Sequence, residues 1–323
     1  MRKLGRGMVL WVLPLGLFLV ALSIPSARDR LLGRPQFAPA AAVDPSPPLV
    51  VATTFEQLVT TVTAFFVKPF YMLLALVSGI WLWRKRETDL ARLRWGFLVF
   101  FAGEAACAIR WSVPFGSDVF EMGHGLGMVA MGALLPWGVF ELFDQRVLAF
   151  SNPERTCAFQ RLCQHCWKRE AVRCGLHRIM RVAVPFLAMV ALVPLSEPIQ
   201  PVVLRYQVFG TWVIDETTPL IAVAQGRLYP LMALWMFAVA WLDLRKGSAG
   251  IERAKLPFFA GCGFLAYALL RFLLHYAFGE AVFWANAWEE LTELATIVLL
   301  VFGLWAFRVP LGLGRAPATA NET

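Results

Sequence analysis

Charge is what this chain lacks. Asp, Glu, Lys and Arg make up only 16% of its 323 residues, where soluble domains carry about a quarter. Hydrophobic residues make up 59%, more than the interior of one globule in water can absorb, so an ordinary soluble enzyme is excluded. A Gly-rich phosphate loop, a nucleophile elbow and a His-Glu-x-x-His motif are also missing. The enzymatic role left without a standard catalytic motif is that of a membrane oxidoreductase component. No repeat of sequence at a fixed period is visible, and no polar stretch has the size of a soluble domain.

What the chain does have is long apolar runs. They are Met8 to Leu22, Phe66 to Trp83, Trp95 to Val113, Phe120 to Phe143, Val182 to Ser196, Tyr229 to Leu244, Pro257 to Phe278 and Ala285 to Phe307. Most approach the roughly 17 to 25 residues that cross a bilayer. The expected fold is therefore an all-α, multi-pass bundle of about eight transmembrane helices, with lipid as its first partner. Residues 1–27 read as a signal anchor or a signal peptide, because the basic MRKLGRG precedes an apolar core and the small residues ALSIPSA follow it. Cleavage there leaves seven helices.

Residues 28–65 read as an extracytoplasmic Pro/Ala-rich linker with an amphipathic segment. Helices two to four occupy 66–143, a cytoplasmic Cys-rich basic loop 144–181, and helices five to eight 182–307, with an extracytoplasmic loop at 198–227 and a cytoplasmic tail at 308–323. Within that outer loop, VVLRYQVFGTWVID alternates around Gly210, which suggests a short hairpin or interfacial flap. The net charge of +8 is lopsided: 22 of the 30 basic residues fall on one side if both termini are inside. This places a multi-pass protein in the cell membrane, the inner one in a Gram-negative bacterium, with both termini cytoplasmic. Nucleic acid is not an expected partner, since no aromatic-basic pattern accompanies the charge.

Two constellations carry chemistry. Cys157, Cys163, Cys166 and Cys174 sit in the basic loop, with His165 and His177 among them. On the cytoplasmic side disulfides are disfavoured, and four thiolates suit an iron-sulfur cluster or Zn. The spacing matches neither a zinc ribbon nor a ferredoxin, and the bland reading is reduced cysteines near lipid headgroups. Cys107 and Cys262 lie in apolar runs and read as small hydrophobes.

The second constellation is intramembrane, where ionisable residues are functional candidates. Glu104, Arg110, Glu121, His124, Arg271, His275, Glu289, Glu290 and Glu293 all but one fall in the outer part of the membrane. His124 and His275 lie at equal depth on different helices, as a b-type haem requires, with Arg110 and Arg271 for its propionates. Glu121-x-x-His124 is one unit of a carboxylate-bridged di-metal site, with Glu104, His275, Glu290 and Glu293 as further ligands. Met122, Met128 and Met131 beside His124 suit copper. The plain alternative is an ion-paired cluster, with Arg110 and Arg271 neutralised by Glu104, Glu121 or Glu293.

Three functions fit. One is an electron-transfer protein working with a redox partner or quinone, although its two centres lie across a layer about 30 Å thick. Another is a transporter or metal-handling protein with a structural zinc loop. The third is a non-catalytic subunit that docks a cytosolic protein at the cysteine loop. Anaerobic purification with Fe, Zn and Cu analysis tests the thiolate site: Cys163→Ser with Cys166→Ser is expected to remove one Zn per chain, or all the Fe of a cluster.

Overall fold

A computed structural model describes residues 49–50, 52–85, 87, 89–112, 118–148, 173–196, 202–208, 211–217, 219–246, 248–278, 282–309, 311 and 313. The first apolar run, Met8 to Leu22, and the cysteines 157, 163 and 166 lie outside the described residues.

Thr53 starts the helical part. Its hydroxyl accepts the Glu56 amide while the Glu56 carboxylate accepts the Thr53 amide at 2.8 Å, a reciprocal capping box. Helix α1 (Thr54–Val62) therefore begins well before the expected Phe66, and it continues through a π turn (Thr63–Val67) into α2 (Lys68–Trp83). Together they form one apolar stretch of 30 residues. Pro69 at the second position of α2 has no amide to donate, and its ring crowds the carbonyl one turn back. The wider π turn immediately ahead accommodates both defects.

The chain then folds back as α3 (Ala91–Ser112) and returns as α4 (Asp118–Phe143), which ends in a second π turn (Asp144–Leu148). Helix α5 (Arg173–Val190) takes in Cys174 and His177, which were expected in a loop, and a 3-10 turn (Pro194–Ser196) follows. Next come strands β2 (Val202–Val208) and β3 (Thr211–Thr217), an antiparallel pair with Arg205 opposite Ile214; β1 (Leu49–Val50) lies parallel to β2. The alternation around Gly210 thus does form strands. The outer loop ends earlier than 227, because α6 (Pro219–Val223) and a third π turn (Ala224–Leu228) lead into α7 (Tyr229–Leu244). Helices α8 (Ser248–Phe278) and α9 (Val282–Ala306) complete the bundle.

Seven long helices coincide with runs two to eight. Among the described residues, five stretches are long and apolar enough to cross a membrane: Thr54–Trp83, Asp118–Arg146, Ile179–Ser196, Leu220–Leu244 and Gly250–Leu274. Helices α3 and α9 stand at their expected places but carry the acidic residues of the site in their interiors. Large apolar side chains such as Phe66, Phe70, Leu73, Trp235, Leu299 and Phe302 are exposed on the outer faces, the inverse of a soluble surface. Pro136 and Pro185 lie inside continuous helices, and only Pro230, like Pro69, follows a π turn.

The expectation of no internal repeat is corrected at the level of elements. A π turn of five residues leads into a helix of 16 with a proline second, ending on an Arg C-cap followed by Lys, and this occurs both at Thr63–Trp83 and at Ala224–Leu244. In each case a helix containing Phe-Phe-Ala-Gly follows (Phe100–Gly103 in α3, Phe258–Gly261 in α8), and then a third long helix. Side-chain identity is slight, because a lipid-facing helix asks only for apolarity, so the repeat shows in backbone features rather than in letters. We call α2–α4 the first unit and α7–α9 the second.

Glycines set the helix spacing. A Cβ on Gly127 of α4 would stand 2.6 Å from the Gly103 Cα of α3, and one on Gly132 would stand 3.2 Å from the Gly263 Cα of α8. Such small residues let backbones approach closely in membrane bundles. Gly127→Leu is expected to cost about 1–3 kcal/mol and to lower the unfolding temperature in detergent. Gly303→Leu, whose Cβ meets nothing within 4 Å, should change stability by less than about 0.5 kcal/mol.

Candidate metal centre

The end of the bundle where α3 finishes and α4 begins is here called the near end, and the opposite one the far end. Glu104 on α3 has no exposed surface. A buried carboxylate needs compensation from charge or hydrogen bonds, and two helices supply it. Lys68, the first residue of α2, places Nζ 2.5 Å from Glu104 Oε2 and 3.0 Å from Glu290 Oε1 of α9. Tyr71, one turn along the same helix face, holds its Oη 3.0 Å from Glu104 Oε2, 2.7 Å from Glu290 Oε2 and 2.6 Å from Glu293 Oε2. His124 of α4 brings Nδ1 to 3.2 Å from Glu104 Oε1 and 3.4 Å from the Gly103 carbonyl. The close approach at Gly103 and Gly127 is what allows that reach.

This leaves a specific chemistry. Lys68 and Tyr71 both engage Oε2 of Glu104, and Tyr71 also engages Oε2 of Glu293. Among the described residues, Oε1 of Glu104 and Oε1 of Glu293 accept no well-formed hydrogen bond, although both are buried. Donor atoms of Glu104, His124 and Glu293 lie within 4.8 Å of one another. Donors that share one ion at about 2.1 Å stand roughly 3.4 Å apart, so a modest contraction makes this a three-ligand site. Two oxygens and an imidazole suit Zn, Mn, Fe or Co in the divalent state.

A second layer runs toward the near end. Arg110 pairs with Glu121 at 2.8 Å, and Arg271 pairs with Glu289 at 3.1 Å. Gln225, in the third π turn, donates to Glu121 Oε1 at 3.3 Å and accepts from Arg271 Nε at 3.3 Å. Its amide also approaches the Tyr267 hydroxyl at 3.4 Å, and the Tyr267 ring stands edge-on to His124 with centroids 6.1 Å apart. Contacts between like groups therefore link both units.

Of the expected site residues, Glu104, His124 and Glu293 come together. Arg110 finds Glu121 as the ion-pair reading expected, and Arg271 finds Glu289 instead of Glu104, Glu121 or Glu293. Glu121 stands in the outer layer, bonded to Arg110 and Gln225. His275 lies near the end of α8, with its side chain outside the described set, as is that of Cys174. Sequence reasoning missed Lys68, Tyr71, Gln225 and Tyr267. Lys68 and Tyr71 offered one signal, a lone cation and a phenol i,i+3 at the head of an apolar run.

These features define a helical protein with five helices of membrane-crossing length and apolarity and a buried carboxylate–imidazole cluster near one end. No protein-family model matches the chain, and no curated protein or solved structure matches it either.

Removing one buried ionic partner strands the rest. Lys68→Met, which leaves Glu104 and Glu290 without their ammonium, is expected to destabilise the protein by about 3–5 kcal/mol, read as a lower unfolding temperature in detergent.

Proposed function

We propose that this is a multi-pass cell-membrane protein that handles a divalent transition metal at Glu104, His124 and Glu293. The observation that carries the reading is the buried Oε1 of Glu293, which has no hydrogen-bond partner among the described residues and lies beside the buried Glu104–His124 pair, with donor atoms of the three residues within 4.8 Å of one another. An orphaned buried acceptor is costly in an apolar bundle, and an ion offsets that cost.

Charge supports it. Among the described residues of the cluster, the acidic side chains Glu104, Glu121, Glu289, Glu290 and Glu293 outnumber the basic Lys68, Arg110 and Arg271, which favours a cation there. Lys68 and Tyr71 act as the outer contacts that hold the ligating carboxylates in orientation. The lopsided distribution of Lys and Arg supports an extracytoplasmic near end.

Cobalt gives the test a signature. Titration of the purified protein with Co²⁺ is expected to produce visible d–d absorption at one equivalent. Zn²⁺ should compete it away, and Glu104→Gln with Glu293→Gln should weaken binding at least tenfold. Binding unchanged in that double variant would place the metal elsewhere, for example on the cysteine loop.

A further inference from the structure

The metal ligands come from three helices, Glu104 on α3, His124 on α4 and Glu293 on α9, and α9 packs mainly along α1 and α2 while α8 packs on α4, so the two units interlock around the site. Lys68 with Glu290, Tyr71 with Glu293, and Glu121 with Gln225 are also contacts between units. Helices α2 and α7 run in the same direction, each headed by its π turn beside the site. Membrane carriers built from structural repeats place their sites at the junction of the repeats, next to irregular helix segments, and π turns commonly mark functional positions.

Burial is graded along the bundle. The ligands are at most 4% exposed, while the side chains of Lys68, Glu290, Glu289, Arg271 and Arg110, at or beyond them toward the near end, are 13–20% exposed. The far end is closed. There Lys255 of α8 reaches Glu141 of α4 at 2.9 Å, both buried, and Gln145 and Trp137 donate to the same carboxylate at 3.0 and 3.2 Å. Trp137 stacks on Phe259 of α8 with centroids 5.7 Å apart, and the Arg92 guanidinium covers Trp137 at 4.1 Å. Arg146 ties Asp89 and Glu87 to the carbonyl of Leu311 beyond α9. The Glu141–Lys255 pair joins the first unit to the second, as the metal ligands do at the other end.

We propose that the protein transports the divalent metal across the membrane through the Glu104–His124–Glu293 site, with Glu141–Lys255 as the closed far gate. The proposal rests on the metal-handling reading of that site and adds movement to it. A ligand shifts an equilibrium between open and closed arrangements only by binding one better than the other, and ligands carried on three different helices, α3, α4 and α9, provide that difference.

The test is uptake of Co²⁺, Mn²⁺ and Zn²⁺ into proteoliposomes of the full chain loaded with a metal-sensitive dye. The wild type is expected to exceed Glu104→Gln with Glu293→Gln at least fivefold for at least one ion. Glu141→Leu with Lys255→Met removes the gate pair without stranding a charge. It should bind Co²⁺ as the wild type does but take up the transported ion at least threefold faster. Lys255 also holds Glu252 at 3.0 Å, so the exchanged pair Glu141→Lys with Lys255→Glu is made together with Glu252→Gln, and it should return uptake toward wild type. A chain that binds Co²⁺ in detergent but shows no uptake above the ligand variant overturns transport and leaves the metal site standing. Uptake unchanged in Glu141→Leu with Lys255→Met, with binding intact, overturns the gate. Absence of Co²⁺ binding in detergent rejects the site itself.

Discussion

Everything in this bundle answers to one buried group, the Glu104 carboxylate. A carboxylate with no access to water costs several kcal/mol unless charge and hydrogen bonds replace the water. The fold brings Lys68 and Tyr71 from α2 and His124 from α4 to do this. Each partner depends on a backbone feature elsewhere. Lys68 is placed by the π turn ahead of Pro69, and His124 by the glycine contact between α3 and α4. The second carboxylates, Glu290 and Glu293, are held by the same lysine and phenol, so α9 is tied to α2 through polar atoms within an otherwise apolar interior.

The division of the bundle into polar inside and apolar outside follows from the same physics. In lipid the outer face gains nothing from charge, so Phe66, Phe70, Trp235 and Phe302 can face outward while polar groups must find one another. Between helices, where lipid offers no hydrophobic drive, close approach at Gly103, Gly127, Gly132 and Gly263 supplies the packing. Polar pairs at the two ends add specificity. Near the site they join the units through ligating groups, and at the far end Glu141 and Lys255 join α4 to α8.

Some features of the first three long helices recur in the last three. The same succession of π turn, proline-led helix and Phe-Phe-Ala-Gly helix occurs twice, yet the first unit supplies Lys68 where the second has Tyr229 at the head of its helix. Tyr229 packs on Tyr267, so one unit brings a cation to the site and the other an aromatic wall. Differentiated repeats of this kind produce one asymmetric polar centre between two similar scaffolds.

By itself the sequence determined that the chain is helical and apolar, where seven of its long helices lie, and that Glu104, His124 and Glu293 are costly residues in search of partners. Hydropathy reads these directly, because a span is a local property of about 20 residues. It also marked the alternating strands around Gly210. Which residues meet was decided only in three dimensions. Lys68 and Glu290 are 222 residues apart, and no local period joins them. The π turns that place Lys68 and Gln225 are a response of the backbone to Pro69 and Pro230, invisible to a count of apolar letters. The repeat escaped notice for the same reason: lipid tolerates almost any apolar side chain, so shared architecture left little shared sequence, while the few polar atoms that had to be satisfied chose the tertiary contacts.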